Sequence, residues 1–344
     1  MNSVNYTQPG LARVADVLVM PEAGIAAVVA LLDAARTAIK IKMFTFDSPA
    51  LIAASGRAVG RGVHVQVMLN PQRSSGSRAN DRTLDELTGF GVAVKWTSPD
   101  FAVTHEKSMV LDGRRALIGT FNFVDKYFTL TRDYGLLIDD GAVVAQVAAC
   151  FDADWERRAF QLPHDSPLVL SNFNARQATA SVIDSARETL RIQHPKYSDM
   201  AILDRLLRAR ARGVHVHLLC GGHHGISDSD KLDTYSALRS LRRAGVQIRR
   251  QHQLRLHAKL LIADGKRGML GSMNIDRSAY DLRREMGIVF TDEAVLHRLR
   301  ERFHRDWKEA KHYDPPDPLA PEPPPEADPP AHDAVGHDPA LMHD

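Results

Sequence analysis

The chain has 344 residues, 44% hydrophobic and 25% charged, with 44 Lys and Arg against 42 Asp and Glu. That mix fits a soluble globular protein of about two domains and excludes collagen-like, wholly disordered and membrane-embedded classes. Cys150 and Cys220 are too few for a disulfide framework and read as reduced thiols, Met1–Ala12 lacks a signal-peptide pattern, and the apolar run Ala23–Leu32 is half a membrane span; a cytoplasmic protein, at most peripheral at a membrane, is expected.

Ile25, Val28, Val29 and Leu32 fall at helical spacing and lead into a strand expected over Ile39–Phe46. A helix over Pro49–Val59, a strand over Val63–Leu69, a turn-rich loop over Asn70–Asn80 and a helix near Leu84–Thr88 follow. Strands are expected at Val92–Trp96, Lys107–Leu111, Ala116–Gly119 and Tyr134–Ile138, then a helix over Ala142–Arg158. After a linker at Gln161–Pro167 the pattern repeats, with helices over Ala175–Thr189, Ala201–Ala211 and Tyr235–Ala244. Tyr313–Asp344 has no Lys or Arg, eight Asp or Glu and ten of the eighteen prolines, so 313–344 is expected to be a disordered tail. Without it the body carries 44 basic and 34 acidic residues, a net +10 that suits an anionic substrate.

The chain is a duplication. His105–Asp140 aligns without a gap on His257–Asp292, eleven of 36 positions being identical. Upstream, Arg61-Gly-Val-His-Val recurs as Arg212-Gly-Val-His-Val, and Asp33-Ala-Ala-Arg as Asp184-Ser-Ala-Arg. Two similar α/β sandwich domains, 1–160 and 165–312, are expected as a pseudo-twofold pair with the site at their interface.

Each half carries one constellation: His105-x-Lys107-x4-Asp112, Gly119-Thr120-x-Asn122 and Asp133, then His257-x-Lys259-x4-Asp264, Gly271-Ser272-x-Asn274 and Glu285. On a strand, residues i and i+2 share a face, so each His stands beside its Lys. Two lysines, two amides and two hydroxyls around one point suit a phosphoryl centre, whose charge is spread over several oxygens. Two imidazoles supply a nucleophile on one side and a proton donor on the other. A carboxylate on the far nitrogen of each would fix its tautomer.

At these residues the chain resembles the phospholipase D superfamily, whose HxKx4D…GSxN signature occurs twice; the segment Leu168–Arg176 is also similar to the opening of the second domain of cardiolipin synthase-type members. The resemblance covers about residues 16–310. It implies a ping-pong mechanism without metal or cofactor, through a phosphohistidine: His105 as nucleophile, His257 as acid and then base, and Lys107, Lys259, Asn122 and Asn274 on the phosphate oxygens. Asp112 and Asp264 are expected to be structural. Thr120 replaces the family's Ser and keeps the hydroxyl, as Ser272 does. Asp133 replaces the family's Glu and is one methylene shorter, so its part in orienting an imidazole is less secure than that of Glu285. The implied activity is phosphodiester hydrolysis or phosphatidyl transfer on phospholipids at a membrane surface; the alternative is a nuclease acting on DNA or RNA. No protein partner is implied.

Two other features stand outside the signature. His215, His217, Cys220, His223 and His224 read as an ordinary surface loop, a strand end lining the cleft, or a metal site, though finger-type spacing is lacking. Arg205, Arg208, Arg210 and Arg212, with Arg239, Arg242, Arg243, Arg249 and Arg250, make the second half basic, which suits solvated helix faces, an anionic membrane surface or nucleic acid.

Overall fold

The computed structural model describes residues 10–72, 76–223 and 226–320. In the first half the elements are β1 (Asp16–Met20), α1 (Gly24–Ala34), β2 (Ala38–Met43), α2 (Pro49–Gly60), β3 (His64–Leu69), α3 (Asp81–Gly89), β4 (Ala93–Trp96), β5 (Lys107–Leu111), β6 (Arg115–Gly119), α4 (Lys126–Thr129), β7 (Thr131–Ile138) and α5 (Gly141–Trp155). The second half has β8 (Leu168–Leu170), α6 (Ala175–Ser185), β9 (Thr189–Gln193), α7 (Met200–Ala211), β10 (His215–Cys220), α8 (Asp228–Arg243), β11 (Gln247–Arg250), β12 (Arg255–Leu256), β13 (Leu260–Ala263), β14 (Arg267–Gly271), α9 (Arg277–Asp281), β15 (Met286–Phe290), α10 (Glu293–Glu309) and β16 (Lys311–His312).

The duplication appears as two sheets of matching order, β1-β7-β6-β5-β2-β3-β4 and β8-β15-β14-β13-β9-β10-β11-β16. In each, three strands joined through helices run parallel and the motif strands continue antiparallel. Leu32, Leu51 and Leu87 of α1, α2 and α3 cover one face of the first sheet against Ile39, Ile41 and Val67; α6, α7 and α8 cover the corresponding face of the second. The other faces share one core in which Ile118, Leu136, Ile138 and Val147 join Leu260, Ile262, Leu270, Ile288, Leu299 and Phe303, so α5, α10 and both sheets pack as a unit. β5 and β13, buried on both faces, are central. This explains why Ser108-Met-Val-Leu and Leu260-Leu-Ile-Ala read as near-continuous rather than alternating runs. β12 leaves its own half to pair with β7 of the first sheet.

Three expectations need correction. The helix drawn over Ala175–Thr189 ends at Ser185, because the backbone N–H groups of Arg187, Glu188 and Thr189 go to the Asp264 carboxylate instead. α8 starts at Asp228 rather than Tyr235; Asp228 and Asp230 in its first turn face the positive end of the helix dipole. The tail does not begin at Tyr313: this ring packs on the second half's outer core, its N–H donates to Ile248 O at 3.3 Å, and the Pro315 carbonyl accepts from Arg239 at 3.1 Å while Asp314 pairs with Arg242. The remaining tail, 321–344, lies outside the described residues.

Candidate active site

Each motif histidine precedes a central strand and is fixed by backbone of the other half. The His105 N–H donates to Arg284 O at 2.9 Å and the Arg284 N–H returns to Val103 O at 2.9 Å. In the same way the N–H groups of His257 and Ala258 donate to Arg132 O at 3.2 and 2.9 Å. Because Arg132 and Arg284 each precede a carboxylate, these contacts bring Asp133 to His257 and Glu285 to His105.

The carboxylate pairs cross between the halves. His105 Nδ1 lies 3.0 Å from both Glu285 oxygens, and His257 Nδ1 lies 2.8 Å from Asp133 Oδ1. The shorter Asp133 therefore does reach an imidazole. Its oxygens also accept from Thr120 Oγ1 at 2.5 Å and Thr131 Oγ1 at 2.6 Å. Glu285 is hydrogen-bonded to the Ser272 hydroxyl, and its backbone N–H donates to Ser171 Oγ at 2.8 Å. Gly271 lets β14 approach β15 closely, since a Cβ there would sit 2.5 Å from Gly287 Cα.

Lys107 Nζ donates to His105 O at 2.6 Å, and Lys259 Nζ to His257 O at 2.5 Å. Both lysines are buried. Among the described residues the amide oxygens of Asn122 and Asn274 are buried with no hydrogen-bond partner, so each amide retains capacity for a ligand or water. An aromatic flanks each imidazole edge-on at 4.8 Å, Phe44 at His105 and Tyr127 at His257, both from the first half. His194, buried at the end of β9, adds a third imidazole beside Lys259; it is absent from the signature and only its place on the β9 edge could have pointed to it.

Burial with several cations governs the electrostatics. Desolvation, then Lys107, Arg283, Lys259 and His257, hold the His105 pKa well below its ordinary value. Desolvation also depresses His257, to about 4, against the opposing pull of Asp133. Lys259 falls to about 8 and Lys107 falls well below its usual range, both mainly by burial. The carboxylates diverge: burial lifts Glu285 to about 7, whereas at Asp133 the upward push of burial is outweighed by His257, Lys259 and Thr120.

The two signature aspartates are used by the backbone. Asp112 accepts from the N–H groups of Arg36, Thr37 and Ala38 and from the Thr37 hydroxyl, as Asp264 accepts from Arg187, Glu188 and Thr189. Asp112 and Gly113, like Asp264 and Gly265, have positive φ, as a type I′ turn requires.

The ligand atoms of Glu106, Cys150 and Asp154 converge within 4.8 Å below the site. Lys42 Nζ, 3.1 Å from Glu106 and 2.5 Å from Asp154, and the Arg284 guanidinium, 3.0 Å from Asp154 and from Cys150 Sγ, already neutralise that cluster, so it does not fit a cation. Cys220 Sγ contacts Arg249 O at 3.6 Å and His217 stacks edge-on against Trp307; among the described residues these do not converge with His215 and His223 on a metal site, and His224 lies outside the described residues. Arg283, which the motif does not include, bears electrostatically on His105, Lys107, Lys259 and Glu285.

A family profile described as "Cardiolipin synthase, PLD-like domain" matches residues 28–155 and 180–307. Cardiolipin synthase of Clostridium perfringens (strain SM101 / Type A) is 24% identical over 298 residues, covering 75% of this chain and 62% of that protein. Cardiolipin synthase A of Pseudomonas entomophila (strain L48) is 28% identical over 237 residues, covering 60% and 48%. The chain thus spans about half to three-fifths of the length of these relatives. Among solved structures, phosphatidylserine synthase of Haemophilus influenzae Rd KW20 superposes with a TM-score of 0.71 at 13% identity, covering 90% of each chain. Polyphosphate kinase of Porphyromonas gingivalis gives 0.68 at 16% identity, covering 85% of this chain and 47% of that one. At such identities the structures show a shared fold.

Proposed function

Because the chain belongs to the family of cardiolipin synthase-type, phospholipase D-like domains, with that family's two-domain α/β fold, we propose that it is a phosphatidyltransferase acting on glycerophospholipids through a phosphohistidine. The observation that carries this reading is the crossed arrangement of His105–Glu285 and His257–Asp133 around two buried lysines.

With its Nδ1–H donated to Glu285, His105 keeps the lone pair on Nε2, and its depressed pKa keeps that lone pair free of a proton. The anionic phosphodiester, once bound, offsets the two ammonium groups and lets His257 take up a proton beside Asp133; Nε2 of His105 attacks the phosphorus, the bond to the head-group oxygen breaks, and that oxygen takes this proton from His257. His257, held by an ionised Asp133, then removes a proton from an alcohol or water, whose oxygen displaces His105 and restores it. Lys107, Lys259 and the amides of Asn122 and Asn274 hold the phosphoryl oxygens as charge builds on them. Among the described residues no helix is long and apolar enough to cross a membrane, so the lipid would be met at a bilayer surface.

The test is incubation of the full chain in excess EDTA with phosphatidylglycerol vesicles and, separately, with plasmid DNA. Head-group exchange or condensed lipid with intact DNA supports the reading; cleaved DNA with unchanged lipid replaces it by the nuclease alternative.

A further inference from the structure

The site end of the second half carries apolar side chains that the chemistry does not use. In the second sheet Leu170, ending β8, pairs with Met286, and Gln193, ending β9, pairs with Leu260. The segments after β8 and β9 therefore emerge at the end that holds His257 and Glu285. There Phe173 is 51% exposed, Met200 76% and Leu282 55%. Their backbone is fixed around one guanidinium: Arg176 donates to Asp199 at 2.9 Å and to Asp281 at 2.7 and 2.8 Å, the residues just before Met200 and Leu282. Beside Phe173, the Asn172 N–H donates to Tyr280 O at 2.7 Å and its amide to Arg283 O at 3.0 Å. Leu282 O accepts at 2.9 Å from the N–H of Ala102, three residues before His105.

The fold does not need these side chains. α6 and α7 match α1 and α2 in length, 11 and 12 residues, and the motif segments align without a gap. At the places of Phe173, Met200 and Leu282 the first half has Glu22, Pro49 and Leu130. Glu22 is ion-paired with Arg132 and Arg302, and Leu130 is half-buried. One exposed Leu would mean nothing; three large apolar groups joined by one ion-pair hub form a patch. The neighbouring carboxylates Asp199 and Asp281 are both neutralised by Arg176, and Arg277 on α9, 89% exposed, adds a cation at the edge. Apolar side chains with neutralised acids and a cationic edge complement an anionic bilayer. Three side chains are also far less than the surface a stable dimer buries.

We propose that Phe173, Met200 and Leu282 insert into the head-group and acyl boundary of an anionic bilayer, so that the chain docks by the second half alone, with the His105–Glu285 pair nearest the lipid. The choice of a lipid surface rests on the glycerophospholipid reading above. Each apolar side chain taken out of water is worth about one power of ten or more in the binding constant.

The experiment floats the full chain with vesicles of phosphatidylglycerol and phosphatidylcholine in equal parts. Apolar docking should persist in about 0.5 M salt, where purely electrostatic attraction is screened. The combined variant Phe173→Ser, Met200→Ser, Leu282→Ser should bind about 100- to 1000-fold more weakly while still hydrolysing soluble bis(4-nitrophenyl) phosphate. Should that variant fail to fold, single labels decide. Cys150 and Cys220 are buried, so an environment-sensitive dye can be placed on Met200→Cys or, on the same helix, Leu207→Cys. Leu207 lies about two turns, roughly 10 Å, further from the site end. On vesicles the dye at 200 should brighten and be quenched by nitroxide-labelled acyl chains, and the dye at 207 should not. Equal quenching at both positions, none at 200, or native binding abolished by salt would overturn the proposal. So would a native dimer that the combined variant turns into a monomer, since the patch would then join two copies. Docking as predicted without any change to the lipid would sink the phosphatidyl-transfer reading and leave the docking surface standing.

Discussion

The imidazole of His105 is held by Glu285, 180 positions away in the other half of the chain, with both carboxylate oxygens 3.0 Å from Nδ1. Its counterpart, His257 with Asp133, crosses in the opposite direction. Each half therefore supplies an imidazole to the site and a carboxylate to the other half's imidazole, so neither half alone holds an oriented pair. Glu285→Gln removes the charge that fixes the tautomer of His105, the proposed nucleophile, and should lower kcat by about 10²- to 10⁴-fold with little change in KM. Asp133→Asn should do the same on phospholipid but much less on the first step with a nitrophenyl ester, whose leaving group needs no acid. Steady-state and burst kinetics on both substrates check this; equal losses for Asp133→Asn in both first steps would contradict it.

The pH profile should be a narrow bell. Glu285 ionises only above about 7, so kcat, which reports the substrate complex in which His257 is protonated, should rise through that value as the carboxylate becomes able to hold His105. Lys259 loses its proton near 8, so activity should fall beyond that point. These limbs belong to the coupled site rather than to single residues. Lys259→Arg should extend the alkaline limb at a lower maximum, and a profile flat to pH 10 would exclude a lysine with a depressed pKa.

The same burial has a cost in stability. The folded-state pKa of Lys259 lies below its unfolded value, so the unfolded chain binds more protons between about 8 and 10.5 and this residue's contribution to stability improves as pH rises there. At pH 7 the ammonium is a burden, and Lys259→Met should raise stability by about 1–3 kcal/mol while abolishing turnover. Thermal unfolding of the two proteins at pH 7 measures this.

Beneath the site, Asp154 on α5 separates the buried cations Lys42 and Arg284. Asp154→Asn leaves them facing each other and should destabilise the fold by about 3–5 kcal/mol. Breaking the exposed Arg57–Asp33 pair should cost less than about 1 kcal/mol. Denaturant titration of Asp154→Asn and Asp33→Asn compares them directly.

Asp112→Ala should show that a signature residue can be structural. It loses the acceptor of three backbone N–H groups and places a Cβ-bearing, non-polar residue at φ 53°, for a combined loss of about 2–4 kcal/mol. The activity of the protein that remains folded should be near that of the native chain. A large kcat loss at full folding would place Asp112 in the chemistry.

The signature strands and their site groups were legible because spacing alone sets them: His105 and Lys107 are two residues apart on a strand, and the 152-residue offset repeats every group. The crossing was not legible, since the offset is the same whether Glu285 serves His257 or His105; only the backbone pairing of Arg284 with Val103 and His105 decides it. The edge strands β1 and β8 and the strand β12 escaped notice because they are short and are specified by their partners. The overrun of α6 has a similar origin: Arg187 and Glu188 have good helix propensity, and a carboxylate 76 residues away ends the helix there.

The most direct test of the mechanism is to quench the enzyme within its first turnover, in EDTA, on a phospholipid labelled at phosphorus, and locate the acid-labile label by peptide mass. The account predicts label on the peptide containing His105 in the native protein, label trapped there in His257→Asn with a nitrophenyl phosphodiester, and none in His105→Asn. Label on the His257 peptide that persists in His105→Asn would reverse the roles, and no label anywhere during active turnover would contradict the covalent mechanism.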